Sequence, residues 1–502
     1  MGHDPTLKQN EKKSFYLSLQ MKFMEEERSV DYNMLITELQ DIVGEANATD
    51  DRAICTSYSR DQHWHFVPAK NPACVVRPGT KAEVRSVLML ANTHKIPVIP
   101  YSTGINVRGL TIPVHDGSIL LDLSRMNRIL EINPEMKTAT VEPGVTFGML
   151  LEQTRKHKLR PAFPDAPLTV SVLANYYLRG IYQTAAADGH DHTISYEMLL
   201  PNGETLKTGS RALSEMPYFR YGVGPDFAGM FCAHPGTCGV VTELTAKLYR
   251  LYDNRKEYFI GFDDVGTPTE FIYNLMHDEL AASIRLVDNQ SWLKGIFGTF
   301  DYAYEKLPKF VVCVLVEGVD GIFEAKDTLV RKYMNESGGQ VLELPAEFAR
   351  TFEHESLGGA EKSCMVFGLQ GKGNYHCIGL YGPLTLAAKY YEVHEKTALE
   401  VGIPKDNIHF YIDPIYRFHG QLCYFELDVF YDGSDAGFGE KLRNYNDKQF
   451  HRLLDLGIYG WFRPYAGIIE PTAERIGYLA EVWKKFLHVL DPNEIMNRGK
   501  LF

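Results

Sequence analysis

No C-x-x-C pair occurs among the eight cysteines of this chain. A disulfide framework, an iron–sulfur cluster and a structural zinc site are therefore not expected. Cys313, inside the apolar run FVVCVLVEG, reads as a small core residue. The absence of C-x-x-C-H removes attached haem. No G-x-G-x-x-G joins a strand to a helix; GKGNYH, from residue 371, fails at its last position, so a Rossmann nucleotide site is not expected. Without G-x-x-x-x-G-K-[ST] or G-x-S-x-G, P-loop phosphoryl transfer and a serine-hydrolase elbow fall as well. FEHES and EVHEKT pair histidine with glutamate but supply no H-E-x-x-H. Both read as exposed helix residues, and no metal site is expected. Nor is there a stretch of about 18 consecutive apolar residues, and the charged start MGHDPTLKQNEKK lacks the apolar core of a secretion signal. The expectation is a cytoplasmic chain with no membrane partner. Positive charge is scarce too: the formal net charge is −12 and no basic stripe interrupts it, which argues against nucleic acid as a partner.

What is present is the composition of a folded protein, 45% hydrophobic and 12% aromatic, in 502 residues, enough for two or three domains. After a helical N-terminal arm (1–51), residues 52–251 alternate short strands with two helices. ACVVRP reads as a strand. TKAEVRSVLMLANTHK reads as a helix with Thr80 at its cap, Glu83 as capping-box partner and an apolar face through Val84, Val87, Leu88 and Ala91. IPVIPYS, SILLDLS, RILEIN and TATVEPG follow as strands, TFGMLLEQTRKHKL as the second helix, and GVVTELTAKLYRL as a half-buried strand. Over 252–455 longer helical stretches, TPTEFIYNLMHDELAASIRL and LTLAAKYYEVHEKTALEVG, alternate with the apolar strands KFVVCVLVEG and LCYFELDVFY. That texture is one of a separate α+β domain. Residues 456–502 form a helix that stops at DPN, then a short polar and basic segment.

The stretch VIPYSTGINVRG ends an apolar run at Pro100 and follows it with Tyr101, Ser102, Thr103, Gly104, Ile105 and Asn106. A tight turn of small residues gathers backbone N–H groups into a nest that binds anions. A plain loop between two strands has the same composition. Its surroundings are more specific. VVRPGTKAEVRSVLMLANTHKIPVIPYSTGIN, GSILLDLSRMNRILEINPEMKTATVEPGVTFGMLLEQ, MLLPNGETLKTG and YGVGPDFAGMFCAHPGTCGVVTELTAKL follow one another along the chain. In order and spacing this resembles the FAD-binding domain of the vanillyl-alcohol oxidase / 4-cresol dehydrogenase family of FAD-linked oxidoreductases. The resemblance runs from about residue 52 to the C-terminus.

It implies an α+β fold: a two-subdomain FAD-binding domain of the p-cresol methylhydroxylase (PCMH) type, built from both chain ends, with an α+β cap domain (252–455) over the isoalloxazine ring. It further implies that the loop from Pro100 to Asn106 cradles the FAD diphosphate. Pro143 and Gly144 in EPGVTFG, and Gly239 and Val241 in GVVTE, would line the rest of the cofactor. Asn497 and Lys500, in the closing DPNEIMNRGKLF, would lie near the flavin; as bare residues they are those of a solvated tail.

Flavin oxidation of a C–H bond needs a donor carbon against N5, a group to handle a proton, and positive charge near the ring. The resemblance assigns proton handling to Asp165 in FPDAPLTVSVLAN. It gives Arg463, in GWFRPYAGI, the binding of an anionic substrate oxygen and the support of the reduced ring. His190, in AADGHDHTISYEM, becomes a catalytic candidate on the active-site wall, beside Asp188, Asp191 and His192, a grouping that also suits acid–base work or a metal. His409, in NIHFYIDPIY, matches the histidine to which vanillyl-alcohol oxidase attaches its flavin covalently.

The chain departs from the phenol-oxidising members, which hold the phenolate with two tyrosines and an arginine. NVRGLT and Phe462 stand where those tyrosines fall, and TAAAD replaces a third. Each hydroxyl lost from a buried anion costs about 1–3 kcal/mol. Tyr182, Tyr411, Tyr424, Glu426 and Phe462 are the candidate pocket. The expected function is hydride transfer from a benzylic or alcohol carbon of an aromatic or related compound to FAD, the pocket suiting a non-phenolic alcohol, a hydroxy acid or a larger aromatic better than a simple para-alkylphenol. The electron acceptor is dioxygen or a separate redox protein, and homodimers are common in the family. One alternative is a D-2-hydroxy-acid dehydrogenase of the lactate or glycolate type, whose FAD domain is similar. Its histidine metal pattern with Gly-Asp-Gly-Asn is missing here, FYDGSDAG being the nearest run. The other alternative is a non-catalytic flavin-binding electron-transfer subunit, against which an intact Asp165 and Arg463 weigh.

Overall fold

The computed structural model describes residues 31–501 apart from 62–66, 107–108, 115, 165, 181–188, 223, 290–305, 347, 351, 353–372, 415–421, 436 and 458–468; for 189–190, 373–375 and 469–471 it describes the backbone alone. The first sheet has four strands in the order Ala48–Thr49, Cys74–Val76, Ile119–Asp122, Val98–Tyr101, the last three parallel. Parallel neighbours need a crossover. The helix Lys81–His94, whose Val84, Val87, Leu88 and Ala91 are all buried, carries the chain from Cys74–Val76 to Val98–Tyr101, on the far side of Ile119–Asp122. Its start follows the sequence closely: Thr80 accepts from the Glu83 N–H, and the Glu83 carboxylate accepts from the N–H of Gly79, one residue before the cap. The C-terminal segment returns to this sheet. Val98 N–H donates to the Ile495 carbonyl (2.7 Å) and Asn497 N–H to the Val98 carbonyl (2.9 Å).

A second, antiparallel sheet runs Ile129–Asn133, Thr138–Val141, Val240–Lys247, Thr193–Leu199, Thr205–Lys207. Its central strand, Val240–Lys247, is buried on both faces for most of its length, not on one. Val240 packs into the core of the first sheet, whereas Val241, Leu244 and Ala246 join the core under the helices Phe147–Thr154 and Val172–Tyr177. The polar positions that suggest an exposed face are threonines satisfied inside: Thr245 and Thr140 hydroxyls lie 2.9 Å apart.

Beyond these, a seven-stranded antiparallel sheet has the order Gln340–Val341, Asn254–Phe262, Phe310–Gly318, Ser283–Asp288, Ile408–Pro414, Cys423–Asp432, Gly373–Gly382. The helices Pro268–His277, Ile322–Glu336, Ala387–Glu400 and Phe438–Asp455 contribute buried residues to a single core over one of its faces. Three expectations are corrected here. The stretch beginning TPTEFIYNLMH is helical only to His277; SIRLVD is a strand of the sheet, because Ile284 and Leu286 complete the core at period two. The tail is two helices, Ile469–Ile476 and Tyr478–Leu490, divided at Gly477. His394 of EVHEKT is fully buried. In FEHES, all but Phe352 lies outside the described residues. Cys55, Cys74, Cys232, Cys238, Cys313, Cys377 and Cys423 are free thiols. Among the described residues no helix is long and apolar enough to cross a membrane.

Candidate active site

Five segments converge at the end of the strand Val98–Tyr101. Thr103 Oγ1 accepts from the Ser171 N–H (3.1 Å), and the Ser171 hydroxyl donates to the Pro143 carbonyl (2.6 Å) while capping the helix Val172–Tyr177. Val172 N–H in turn donates to the Val145 carbonyl. A Cβ on Gly236 would lie 2.8 Å from the Pro100 ring. Asn497 is buried, and its side-chain amide donates to the carbonyls of Leu110 and Pro235, tying the C-terminal segment to both.

The turn itself has the features of an anion nest. Gly104 sits at φ +73°, and a side chain there would collide with the Tyr101 hydroxyl. Among the described residues the N–H groups of Thr103, Gly104 and Ile105 meet no acceptor. Lys500 is buried and donates from Nζ to the Gly109 carbonyl (2.7 Å), and Gly109 N–H donates to Asp61 Oδ2 (2.6 Å). Burial pulls the Lys500 amine down to about 8, with the Asp61 carboxylate opposing. Main-chain donors at a left-handed turn, with a buried amine on the Gly109 carbonyl further along the same loop, fit the diphosphate of a flavin dinucleotide.

The second half of the site is the face of the seven-stranded sheet away from its helices. Period two puts Arg285 and Val287, Tyr411 and Asp413, and Tyr424, Glu426 and Asp428 on that face. Glu317 shares it and pairs with Arg160 of the strand Leu159–Arg160 (3.0 Å, both buried), so the face looks toward the first two sheets. Tyr424 donates to Glu426 Oε1 (2.6 Å), and Cys377 Sγ lies 3.9 Å from the same oxygen. Ligand-type atoms of Cys377, Glu426 and Asp428 all lie within 4.8 Å of one another, a concentration of buried acidity. The Arg285 guanidinium lies 5.3 Å from the Tyr411 ring centroid.

Of the residues singled out in the sequence, the loop Pro100–Asn106, Pro143, Asn497 and Lys500 meet in the crevice, and Tyr411, Tyr424 and Glu426 share the sheet face. Asn497 and Lys500, which as bare residues would suit a solvated tail, are buried. Gly144 and Gly239 are packed against main chain, and the Val241 side chain belongs to the core, so any role it has in the site falls to its backbone. His409 is buried on the strand Ile408–Pro414 with Nδ1 3.5 Å from Asp288 Oδ1. Only the backbone of His190 is described, in the turn Gly189–His192. Its neighbours do not form a metal cluster among the described residues: Asp191 pairs with Arg220 (3.2 Å), and His192 Nδ1 lies 2.7 Å from the Tyr249 hydroxyl. Asp165, Tyr182, Phe462 and Arg463 lie outside the described residues. Arg285, Cys377 and Asp428 escaped notice in the sequence. The one available signal was a charge or thiol at alternate positions of an apolar strand.

Residues 72–209 match the FAD binding domain family. The chain is 27% identical over 302 residues to a glycolate oxidase subunit of Bacillus subtilis, covering 59% of this chain and 61% of that protein. It is 30% identical over 219 residues to the flavoprotein subunit of 4-cresol dehydrogenase (hydroxylating) of Pseudomonas putida, covering 41% of each. These alignments span less than two thirds of either relative's length. Its fold is similar to that of p-cresol methylhydroxylase with substrate bound, with a TM-score of 0.84 at 18% identity over 94% of this chain and 98% of that one. Residues 72–209 thus match the FAD-binding domain family, and over nearly its whole length the chain has the fold of p-cresol methylhydroxylase.

Proposed function

We propose that this chain is an FAD-dependent oxidoreductase that takes a hydride from a substrate carbon lodged between the flavin and the sheet face bearing Tyr411, Tyr424 and Glu426. The observation that carries the reading is the convergence of the nest Thr103–Ile105 and buried Lys500 from opposite chain ends. Bound FAD supplies the two-electron acceptor at N5. The chain's own groups do the rest. Thr103, Gly104 and Ile105 main-chain donors and the Lys500 amine hold the diphosphate. Tyr424 orients the Glu426 carboxylate, which accepts a hydrogen bond from a substrate hydroxyl. On the family resemblance, Asp165 handles the proton, Arg463 neutralises developing oxyanion charge, and His190, Tyr182 and Phe462 shape the pocket. On the same resemblance His409 carries the flavin covalently, electrons pass to dioxygen or a separate redox protein, and the chain works as a cytoplasmic homodimer.

The substrate we favour is a benzylic or alcohol carbon of a small aromatic or related molecule, since Tyr411 and Tyr424 give the face an aromatic wall. A D-2-hydroxy acid is the second reading. It is favoured by the similarity to a glycolate oxidase subunit, and by Arg285, a buried guanidinium suited to a carboxylate. The test is anaerobic mixing of the purified yellow protein with 4-alkylphenols, benzylic alcohols and D-2-hydroxy acids in turn. Bleaching by an aromatic substrate is the expected result, and bleaching by hydroxy acids alone transfers the site to the second reading. A protein that neither carries nor takes up FAD would refute both.

A further inference from the structure

Single apolar side chains scattered over a surface need no explanation, but a concentration of them does. Seven large apolar side chains between Leu213 and Met230 are exposed, among them Tyr218, Phe219 and Tyr221. The loop that carries them is not slack. The buried Ser210 hydroxyl donates to the Met216 carbonyl (2.6 Å) and accepts from the N–H groups of Tyr218 (3.0 Å) and Phe219 (3.2 Å). Arg220 fastens the loop to the helix Phe227–Phe231 by pairing with its cap residue, Asp226 (2.7 Å). Phe231 continues the connection, its ring centroid 5.5 Å from that of Phe486 in the helix Tyr478–Leu490. One turn from that contact, Phe227 on the first helix and Val482 on the second are exposed, and so is Leu479.

With Leu479 and Val482 the group numbers nine side chains, from Met230 at 37% to Leu213 at 71% exposure, and presents about 800 Å² of apolar surface. The largest apolar patch of a monomer is about 300–600 Å². One side of a stable pair buries about 800 Å². The borders of the patch carry both signs of charge: Lys207 pairs with Glu215 (2.7 Å) and Lys484 with Glu481 (3.3 Å). A two-fold pair sets one patch against itself, so each sign can meet its opposite there. A lipid surface is met instead by a basic rim, and this chain has a net charge of −12.

We infer that this face is where a second copy of the chain seats, in a two-fold pair with the aromatic side chains of the Ser210-braced loop at its centre. The inference rests on the homodimer proposed above and supplies its surface. Because the loop is fixed before contact, pairing loses little ordering entropy, and its tyrosines and phenylalanines are the side chains enriched at interface centres.

The test is the mass of the FAD-loaded, full-length protein in solution, read by light scattering through a dilution series. Wild type is expected at twice the chain mass. Tyr221→Glu on the loop and Val482→Glu on the helix are each expected to weaken self-association by about tenfold or more. Ile322→Glu, at an exposed position of the helix Ile322–Glu336, should leave it unchanged. Bound FAD and circular dichroism report whether each variant is folded, and a misfolded Tyr221→Glu leaves the decision to Val482→Glu. Wild type that stays monomeric throughout overturns the homodimer and the inference together. A dimer that both variants leave intact, or that Ile322→Glu splits instead, overturns the inference alone. A monomer that sediments with phosphatidylcholine vesicles gives the patch to lipid and overturns it as well.

Discussion

Lys500 shows what a single residue contributes that its sequence context conceals. In a terminal NRGKLF it has every mark of a solvated lysine, yet it is buried, with its amine on the Gly109 carbonyl and its pKa drawn down to about 8 by desolvation. An amine so placed binds a diphosphate best when protonated. FAD affinity should therefore be flat below pH 8 and fall as pH rises through that value, by roughly tenfold to a hundredfold, the worth of one charge-assisted hydrogen bond. Lys500→Met should lower affinity by a similar factor and abolish the pH dependence; fluorescence titration of the apoprotein with FAD across pH 6.5–9.5 measures both. A slope that survives in Lys500→Met would move the titration to another group. The tight turn at Gly104 was legible from its small residues, a composition that a plain loop shares, and its reading as an anion nest came from the family resemblance. Lys500 was legible only through family resemblance, since its burial depends on Asn497 stitching the terminus to Leu110 and Pro235, a contact between distant parts of the chain.

At the scale of elements, the sequence was most readable where a cap and a period agree. The helix Lys81–His94 has both, and its boundaries follow from Thr80 and the apolar face. The strand Val240–Lys247 was misread as half-buried because threonine looks polar in isolation and is satisfied once paired across a sheet. These two elements meet through a charge cluster. Lys81 Nζ bridges Glu197 (2.5 Å) and Glu243 (2.6 Å), and Arg211 also reaches Glu243 (3.0 Å). Glu197 is buried and Lys81 is partly exposed, so solvent screens part of the attraction. Lys81→Met removes the cation and leaves Glu197 without this partner in a sheet interior. The expected loss is about 2–4 kcal/mol, less than for a wholly buried pair, read from urea unfolding. Glu197→Gln in the Lys81→Met background should recover part of it. If the double variant is no better than the single, the cluster does not join helix to sheet as described.

The molecule as a whole combines two sheets that share a core with a seven-stranded sheet whose face bearing Glu317 pairs with Arg160 beside them, and each part encloses an imidazole. His234 lies in the loop beside Pro100, 4.9 Å from the Trp483 ring centroid, and His394 lies under the helices of the seven-stranded sheet. Desolvation holds both down to about 4, against an ordinary value of 6.5. In the pH range between those values the unfolded chain binds two protons that the folded chain does not. Stability is therefore fully present above about pH 6.5 and is lost as pH falls toward 4, by up to about 3 kcal/mol for each histidine. Lys500 acts in the same sense at the alkaline end: its folded pKa lies below the unfolded one, so the stability of the FAD-free protein rises with pH from about 8 to 10.5. Thermal unfolding of FAD-free protein at steps from pH 4.5 to 7 should show the midpoint climbing. His234→Asn and His394→Gln, combined, should lower the plateau at pH 7 and flatten the climb. A slope as steep in the double variant as in wild type would remove both histidines from the acid sensitivity.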